Sequence, residues 1–211
     1  MKARTARCVL LAALAALLLA ACGHSPRTQF FTLGVVRASQ RADQYVDAPA
    51  QSVPAQDASA HYAPVQLRAV HIPEVLDRLE LVSSLSGGRL QIDQFSQWGS
   101  PMEDMVRSVL SQDLAERLPA GMVIPAQAPA PPDSQGLVVD VQAFEPEADG
   151  RVVLDAAWTL LAKGPSRGLY QQRRFALAAG SSASEHVQAM SRLLGQLADA
   201  VAQSVRSVRQ R

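Results

Sequence analysis

Apolar residues fall into three patterns along this chain. The first is an unbroken run, Val9 to Ala21, thirteen residues of Val, Leu and Ala. The second is alternation, the period of a half-buried strand. Val65 to Ile72 alternates in this way and ends at Pro73, and Gln29 to Val36 (QFFTLGVV) reads as a short strand before it. Leu79–Leu85 and Arg89–Phe95 flank Ser86-Gly87-Gly88, a hairpin signal because glycine takes a positive φ at little steric cost. Leu137–Glu145, Arg151–Leu161 and Leu169–Leu177 follow as three antiparallel strands, with turns at Asp149-Gly150 and Lys163-Gly164-Pro165. In the middle strand Val152, Leu154, Ala156, Trp158 and Leu160 share the face expected to meet the core.

The third pattern has helical spacing. Met102, Met105, Val106, Val109, Leu110, Leu114 and Leu118 make one stripe, stopped by Pro119 and Gly121. Ser100-Pro101-Met102-Glu103 before it reads as a capping box with proline at the first helical position. A last helix is predicted from about Ser184 to Val208, with Val187, Met190, Leu194, Leu197, Val201, Val205 and Val208 on its stripe. Met122–Ile124 reads as a short strand, and Pro125–Gln135 as an extended loop. Arg37 to Ala63 is rich in Ala, Gln, Ser, Asp and Pro without apolar period, and is expected to be a mobile loop. The sum is an α+β fold: a mixed, largely antiparallel sheet with two main helices on one face, forming a single domain over residues 29–211.

The apolar run at the start is too short to span a bilayer, which needs about 20 residues. Lys2, Arg4 and Arg7 precede it and small residues end it, the layout of a secretory signal. Leu19-Ala20-Ala21-Cys22 resembles the bacterial lipobox, in which the cysteine sulfur receives a diacylglyceryl group and the signal is cut off before it. Small Ala20 and Ala21 suit a narrow protease cleft, and a thiol is readily alkylated. Residues 1–21 are therefore expected to be a lipoprotein signal peptide, Cys22 the lipidation site, carrying N-acyl and S-diacylglycerol lipid, and residues 22–28 a tether. Gly23, not Asp, follows the cysteine, which predicts sorting to the outer membrane on its periplasmic face.

The chain holds two cysteines, Cys8 and Cys22. One would leave with the signal and the other carry lipid, so no disulfide, cysteine–zinc site or cysteine nucleophile is expected in the mature protein. The formal charge is +1. Loss of the three basic residues of the signal leaves 17 against 19 acidic, a net −2. No basic stripe with interleaved aromatics is left to support nucleic-acid binding. Arg206, Arg209 and Arg211 lie in the last turn of the predicted helix, where the helix dipole accounts for them.

The sequence offers no catalytic constellation. His24, His61, His71 and His186 have no paired metal spacing. Ser83-Ser84 and Ser181-Ser182 resemble turns and caps, not a nucleophile elbow. Gly87-Gly88 is not followed by a helix, so a phosphate loop is not expected. No catalytic, cofactor or metal residue is assigned, and the protein is expected not to be an enzyme.

Several segments together resemble the ABC-type transport auxiliary lipoprotein family, the PqiC/YmbA-like proteins of Gram-negative bacteria. Phe31-Thr32-Leu33 matches its first strand and Ile72-Pro73-Glu74-Val75-Leu76-Asp77-Arg78 its Ile-Pro-x-x-Leu-Asp-Arg segment. Phe95, Trp98, Pro101 and Met102 match its helix entry, and Phe144-Glu145 and Trp158 its later strands. Leu79 and Ser83-Ser84 stand where the family often has Pro and Arg, and Trp98-Gly99-Ser100-Pro101 where it usually has Trp-Ala-Glu-Pro.

The resemblance implies a fold similar to the N-terminal domain of TolB. It also implies a non-catalytic lipoprotein that works with an ABC transporter and a periplasm-spanning MCE-domain protein in intermembrane phospholipid transport and outer-membrane maintenance, without a cofactor beyond its lipid, with a homo-oligomer as one arrangement. Asp77 and Arg78 are candidates for partner docking, weighed evenly against a surface turn or salt bridge, since exposed pairs contribute under ~1 kcal/mol. Trp98 and Trp158 are expected in the core. Two alternatives stay open: a regulatory lipoprotein that docks on a cell-wall synthase or other envelope complex, and a periplasmic hydrolase.

Overall fold

The computed structural model describes residues 27–37, 63–161 and 168–208. The signal peptide, Cys22, most of the expected loop at 37–63 and the Lys163-Gly164-Pro165 turn lie outside the described residues. Eight strands and two helices are described: β1 Gln29–Phe31, β2 Val65–His71, β3 Glu80–Leu85, β4 Arg89–Trp98, α1 Met102–Ala115, β5 Val123–Ile124, β6 Gln135–Pro146, β7 Arg151–Leu161, β8 Leu169–Ala178 and α2 Ala183–Val208. The fold is α+β, as the alternation of rhythms predicts.

The strands divide into two sheets, where the sequence reading expected one. A five-stranded sheet has the order β5-β2-β6-β7-β8, and a three-stranded sheet the order β1-β4-β3. β2 is parallel to both its neighbours, β5 and β6, and β1 is parallel to β4; the remaining pairs are antiparallel. The sheets meet where Ser84 bridges to Glu147, and the Ser84 hydroxyl donates to Glu145 Oε1 at 3.0 Å.

Two bulges reset the alternation that marks the strands. In β2 the register shifts between Leu67 and Ala69, and in β6 between Val141 and Ala143. One extra residue turns every later side chain to the other face. Val65, Leu67 and Val70 are consequently buried in β2, and Leu137, Val139, Val141 and Phe144 in β6. β7, central and straight, buries the whole predicted face from Val152 to Leu160.

Both helices cover the same face of the five-stranded sheet. Trp158 lies at the centre of that contact, fully buried, its indole Nε1–H donating to Ser204 Oγ of α2 at 3.1 Å. The stripe of α1 is buried along its length, including Leu118 beyond the helix end. α2 buries more than its predicted stripe: Ala189, Leu193, Gly195, Ala200 and Ala202 are covered as well. The sheet, α1 and the chain after β1 enclose this helix from three sides.

The helix starts correct one expectation and bear out another, the turn or cap at Ser181-Ser182. Ser100 makes no cap; Pro101 stands at the N-cap without a side-chain hydrogen bond, and the helix begins at Met102. The reciprocal box is instead at α2, where Ser182 Oγ accepts from the Glu185 N–H at 3.3 Å and Glu185 Oε2 accepts from the Ser182 N–H at 3.0 Å. Both segments carry the Ser-x-x-Glu spacing, but at α1 the N-cap position falls on Pro101, whose side chain has no acceptor to offer the first-turn N–H groups. β1 is also shorter than predicted: only three residues pair, and the chain from Thr32 leaves the sheet edge for the helices.

Candidate anchoring and docking site

The candidate site is built on β1, the first strand after Cys22 in the sequence, and the surfaces around it. β1 adds in parallel to β4, with Gln29, Phe30 and Phe31 opposite Ser96, Gln97 and Trp98, and Gly99 donates its N–H to Phe31 O at 2.8 Å. Beyond it the chain is fastened to both helices. Leu33 is buried. Gly34 N–H donates to Ser191 Oγ of α2 at 3.0 Å, and Val36 N–H donates to Asp113 Oδ1 of α1 at 2.9 Å.

Arg117 completes the fastening. Its guanidinium donates to Val36 O at 3.1 Å, to Asp113 O at 2.8 Å, and to Asp199 Oδ1 of α2 at 2.8 Å. The side chains of Asp113 and Arg117 are almost wholly buried and lie 3.2 Å apart. Burial pushes the Asp113 carboxyl above the usual aspartate range, opposed by the Val36 N–H and by the Arg117 charge. A buried charge needs a partner and hydrogen bonds, and this group has both, at the point where the N-terminal segment crosses the helices. Gly195 makes room for the crossing: a Cβ there would lie 3.1 Å from Val36 Cβ and 3.2 Å from an Arg117 terminal nitrogen.

Asp77 and Arg78 lie together in the turn between β2 and β3, held by hydrogen bonds from the Leu76 and Asp77 N–H groups to Pro73 O. Asp77 is exposed, and its Oδ1 lies 3.4 Å from the Glu103 N–H in the first turn of α1. Arg78 pairs with Glu80 at 2.9 Å, and this partner holds the Glu80 carboxyl below its ordinary value. Leu76 between them is buried. The pair thus has local work, supporting a helix start and a turn, on a surface still open to solvent. Trp98 is buried next to this turn, with its N–H donating to Leu79 O at 2.6 Å.

The hairpin β3–β4, the β6–β7 turn and the start of α2 border a cleft of about 420 Å³. Its two carboxylates are already committed. Glu147 takes a hydrogen bond from Arg174 at 2.6 Å, and Asp93 accepts the Phe95 N–H at 2.9 Å. Ser96 and Phe95 hold the Asp93 carboxyl below the usual range. His186 is half-buried on the cleft wall and His71 exposed at the end of β2; His24 and His61 lie outside the described residues. Among the described residues no group of three or more His, Cys, Asp or Glu side chains is placed to hold a metal, and no helix is long and apolar enough to cross a membrane.

A family model described as the ABC-type transport auxiliary lipoprotein component matches residues 10–202. Among solved structures, the chain is similar to an uncharacterized protein at 19% identity and TM-score 0.66, over 85% of this chain and 99% of the other. It is also similar to protein XCC0632 from Xanthomonas campestris at 16% identity and TM-score 0.61, over 86% of this chain and 98% of the other. These likenesses establish the fold. No curated protein matches the sequence.

Proposed function

The chain belongs to the ABC-type transport auxiliary lipoprotein component family, and we propose that it is a non-catalytic, lipid-anchored periplasmic subunit of an ABC transport system containing an MCE-domain protein. In this reading Cys22 carries the lipid and residues 22–28 form the tether. The protein sits on the periplasmic face of the outer membrane and serves phospholipid movement between the membranes. The observation that carries the reading is the extent of the family match, which runs from within the apolar run, through the Cys22 region and all eight described strands, to Ala202 in α2.

The fastening of residues 33–36 supports it. A domain attached to a membrane through its N-terminus transmits any pull through the residues that follow the attachment, which include 33–36. Here those residues are tied to α1 and α2 by Asp113, Arg117 and Ser191. Anchoring also supports weak docking, since two or more acyl chains hold a protein stably on a membrane, and a tethered domain meets its partner at raised effective concentration. Asp77 and Arg78 remain the proposed docking pair, the first exposed and the second half-buried beside the entry to α1.

Co-purification tests the reading. The lipidated protein should recover an MCE-domain protein, and Cys22→Ser should weaken that recovery without abolishing direct affinity. Recovery of a cell-wall synthase in place of any MCE-domain protein would transfer the assignment to the regulatory alternative.

A further inference from the structure

The three-stranded sheet carries a stripe of large apolar side chains that stay exposed, although Val82 on the same face is buried. Val82 is paired with Ile92 and Ser84 with Leu90, so Ile92 and Leu90 share one face of β4. At the other end of the sheet Phe30, Gln97 and Glu80 are in line across three strands. The register break between Glu80 and Leu81 keeps Glu80 and Val82, two residues apart in β3, on that same face. Phe95, two residues before Gln97, joins them. Phe30 is 68% exposed, Leu90 45%, Phe95 44% and Ile92 41%. Four large apolar side chains on one sheet face are a patch that marks an interaction surface.

We propose that this face rests on the phospholipid bilayer to which the protein is anchored. The inference rests on the reading of Cys22 as the acylated residue. Gln29 lies seven positions after Cys22, a reach of at most about 25 Å even when fully extended. β1 is therefore the strand held closest to the membrane, and it belongs to the sheet that carries the stripe. The five-stranded sheet lies farther along the chain, and on the side of β6, β7 and β8 turned from the helices Gln142, Asp155, Gln172 and Arg174 are linked across the strands, with Tyr170 the large exposed ring beside them.

Charge favours the same occupant. Glu80, the acidic residue on the stripe's face, is neutralised by Arg78. Arg89 is exposed at the hairpin end of β4, and Arg27 is exposed just before β1. Exposed arginines beside phenylalanine, leucine and isoleucine suit the headgroup region, where cations meet phosphate and apolar side chains enter the acyl boundary.

The chain has no cysteine other than Cys8 and Cys22, so in the processed, acylated protein one introduced cysteine would be its only free thiol. Ile92→Cys, Phe95→Cys and Gln203→Cys, each carrying an environment-sensitive fluorophore, would be reconstituted as lipidated proteins. The vesicles would be phosphatidylethanolamine with a minority of phosphatidylglycerol, with or without nitroxide on the acyl chains. Gln203 is exposed on α2 and serves as the reference. Labels at 92 and 95 should shift to the blue and be quenched several-fold more than the label at 203. Equal quenching at all three sites on protein that floats with the vesicles would overturn the contact and leave the anchor standing. A blue shift that grows with protein concentration, without lipid quenching, would assign the stripe to a second copy and overturn it too. Protein that is unacylated and does not float would overturn both readings.

Discussion

Asp113 accepts the backbone N–H of Val36 at 2.9 Å through one carboxylate oxygen, while its other oxygen, Oδ2, is buried without a hydrogen-bond partner. A residue in the last turn of α1 thereby fixes a residue that follows β1 by only five positions. Arg117 holds the carbonyl of the same Val36 and neutralises the carboxylate. Arg117→Met should leave Asp113 charged and uncompensated, at a cost of about 3–5 kcal/mol at neutral pH. Denaturant unfolding checks this; a loss under ~1 kcal/mol would mean that the pair is not isolated from water.

The pH dependence of the same site has a definite sign. Burial raises the folded-state pKa of Asp113 above its unfolded value. Its contribution to stability is then fully present below the unfolded value, about 3.9, and is lost as pH rises through the raised folded value. The lowered carboxyls of Glu80, Asp93, Asp149 and Glu185 run the other way, so the comparison needs a variant. Wild type should gain stability relative to Asp113→Asn as pH is lowered from neutrality toward 4. A difference that is flat with pH, or that moves toward the asparagine variant, would contradict the assignment.

Gly195 lies under the same crossing. In an ordinary helix interior Gly→Ala gains about 1 kcal/mol. Here the new methyl would press on Val36 and Arg117, and Val36 cannot retreat because it is bonded at both N and O. Gly195→Ala should therefore lower the unfolding midpoint, and a raised midpoint would show that the segment yields.

Much of the fold was legible because core burial imposes its period on the chain. Every apolar position assigned to α1 and to the inward face of β7 is buried. Gly87, Gly88 and Gly150 take the positive φ that their turns required. What escaped depends on contacts between residues far apart. Ser100-Pro101-Met102-Glu103 and Ser182-Ala183-Ser184-Glu185 carry the same box spacing, and only the second closes it. The bulges at Arg68 and Gln142 leave no local mark, since both are polar residues in strands where polar residues alternate. Phe31-Thr32-Leu33 was visible as part of a family pattern, but nothing in it tells that Val36 will meet Asp113, 77 positions away. The apolar stripe on β4 was read as hairpin strand, because exposure is a property of the assembled sheet.

The helix starts give a test of that comparison. Ser182→Ala should cost about 1 kcal/mol, and Ser100→Ala much less, since the Ser100 hydroxyl caps nothing. Leu110→Ala, fully buried on α1, should exceed both at about 2–5 kcal/mol. Urea midpoints measured together would decide it; equal losses for the two serines would return the cap to Ser100.

The anchor is the premise of the functional reading, and it can be tested without any partner. Leu19-Ala20-Ala21-Cys22 supplies the cysteine and the small residues that diacylglyceryl transfer and signal cleavage require. Cys22→Ser removes the only nucleophile able to form the thioether, so the variant should remain an unprocessed or misprocessed precursor without acyl label. It should also leave the unfolding midpoint of the domain largely unchanged, because the first fastened residues begin at β1, seven positions later. Membranes separated on a density gradient should place the wild-type protein with outer-membrane markers, as expected from Gly23 after the cysteine. Recovery with inner-membrane markers would move the protein to the other leaflet of the periplasm while keeping it a lipoprotein. Normal acyl labelling and fractionation of Cys22→Ser would remove the anchor itself, and the bilayer contact proposed for Phe30, Leu90, Ile92 and Phe95 would lose its geometric basis.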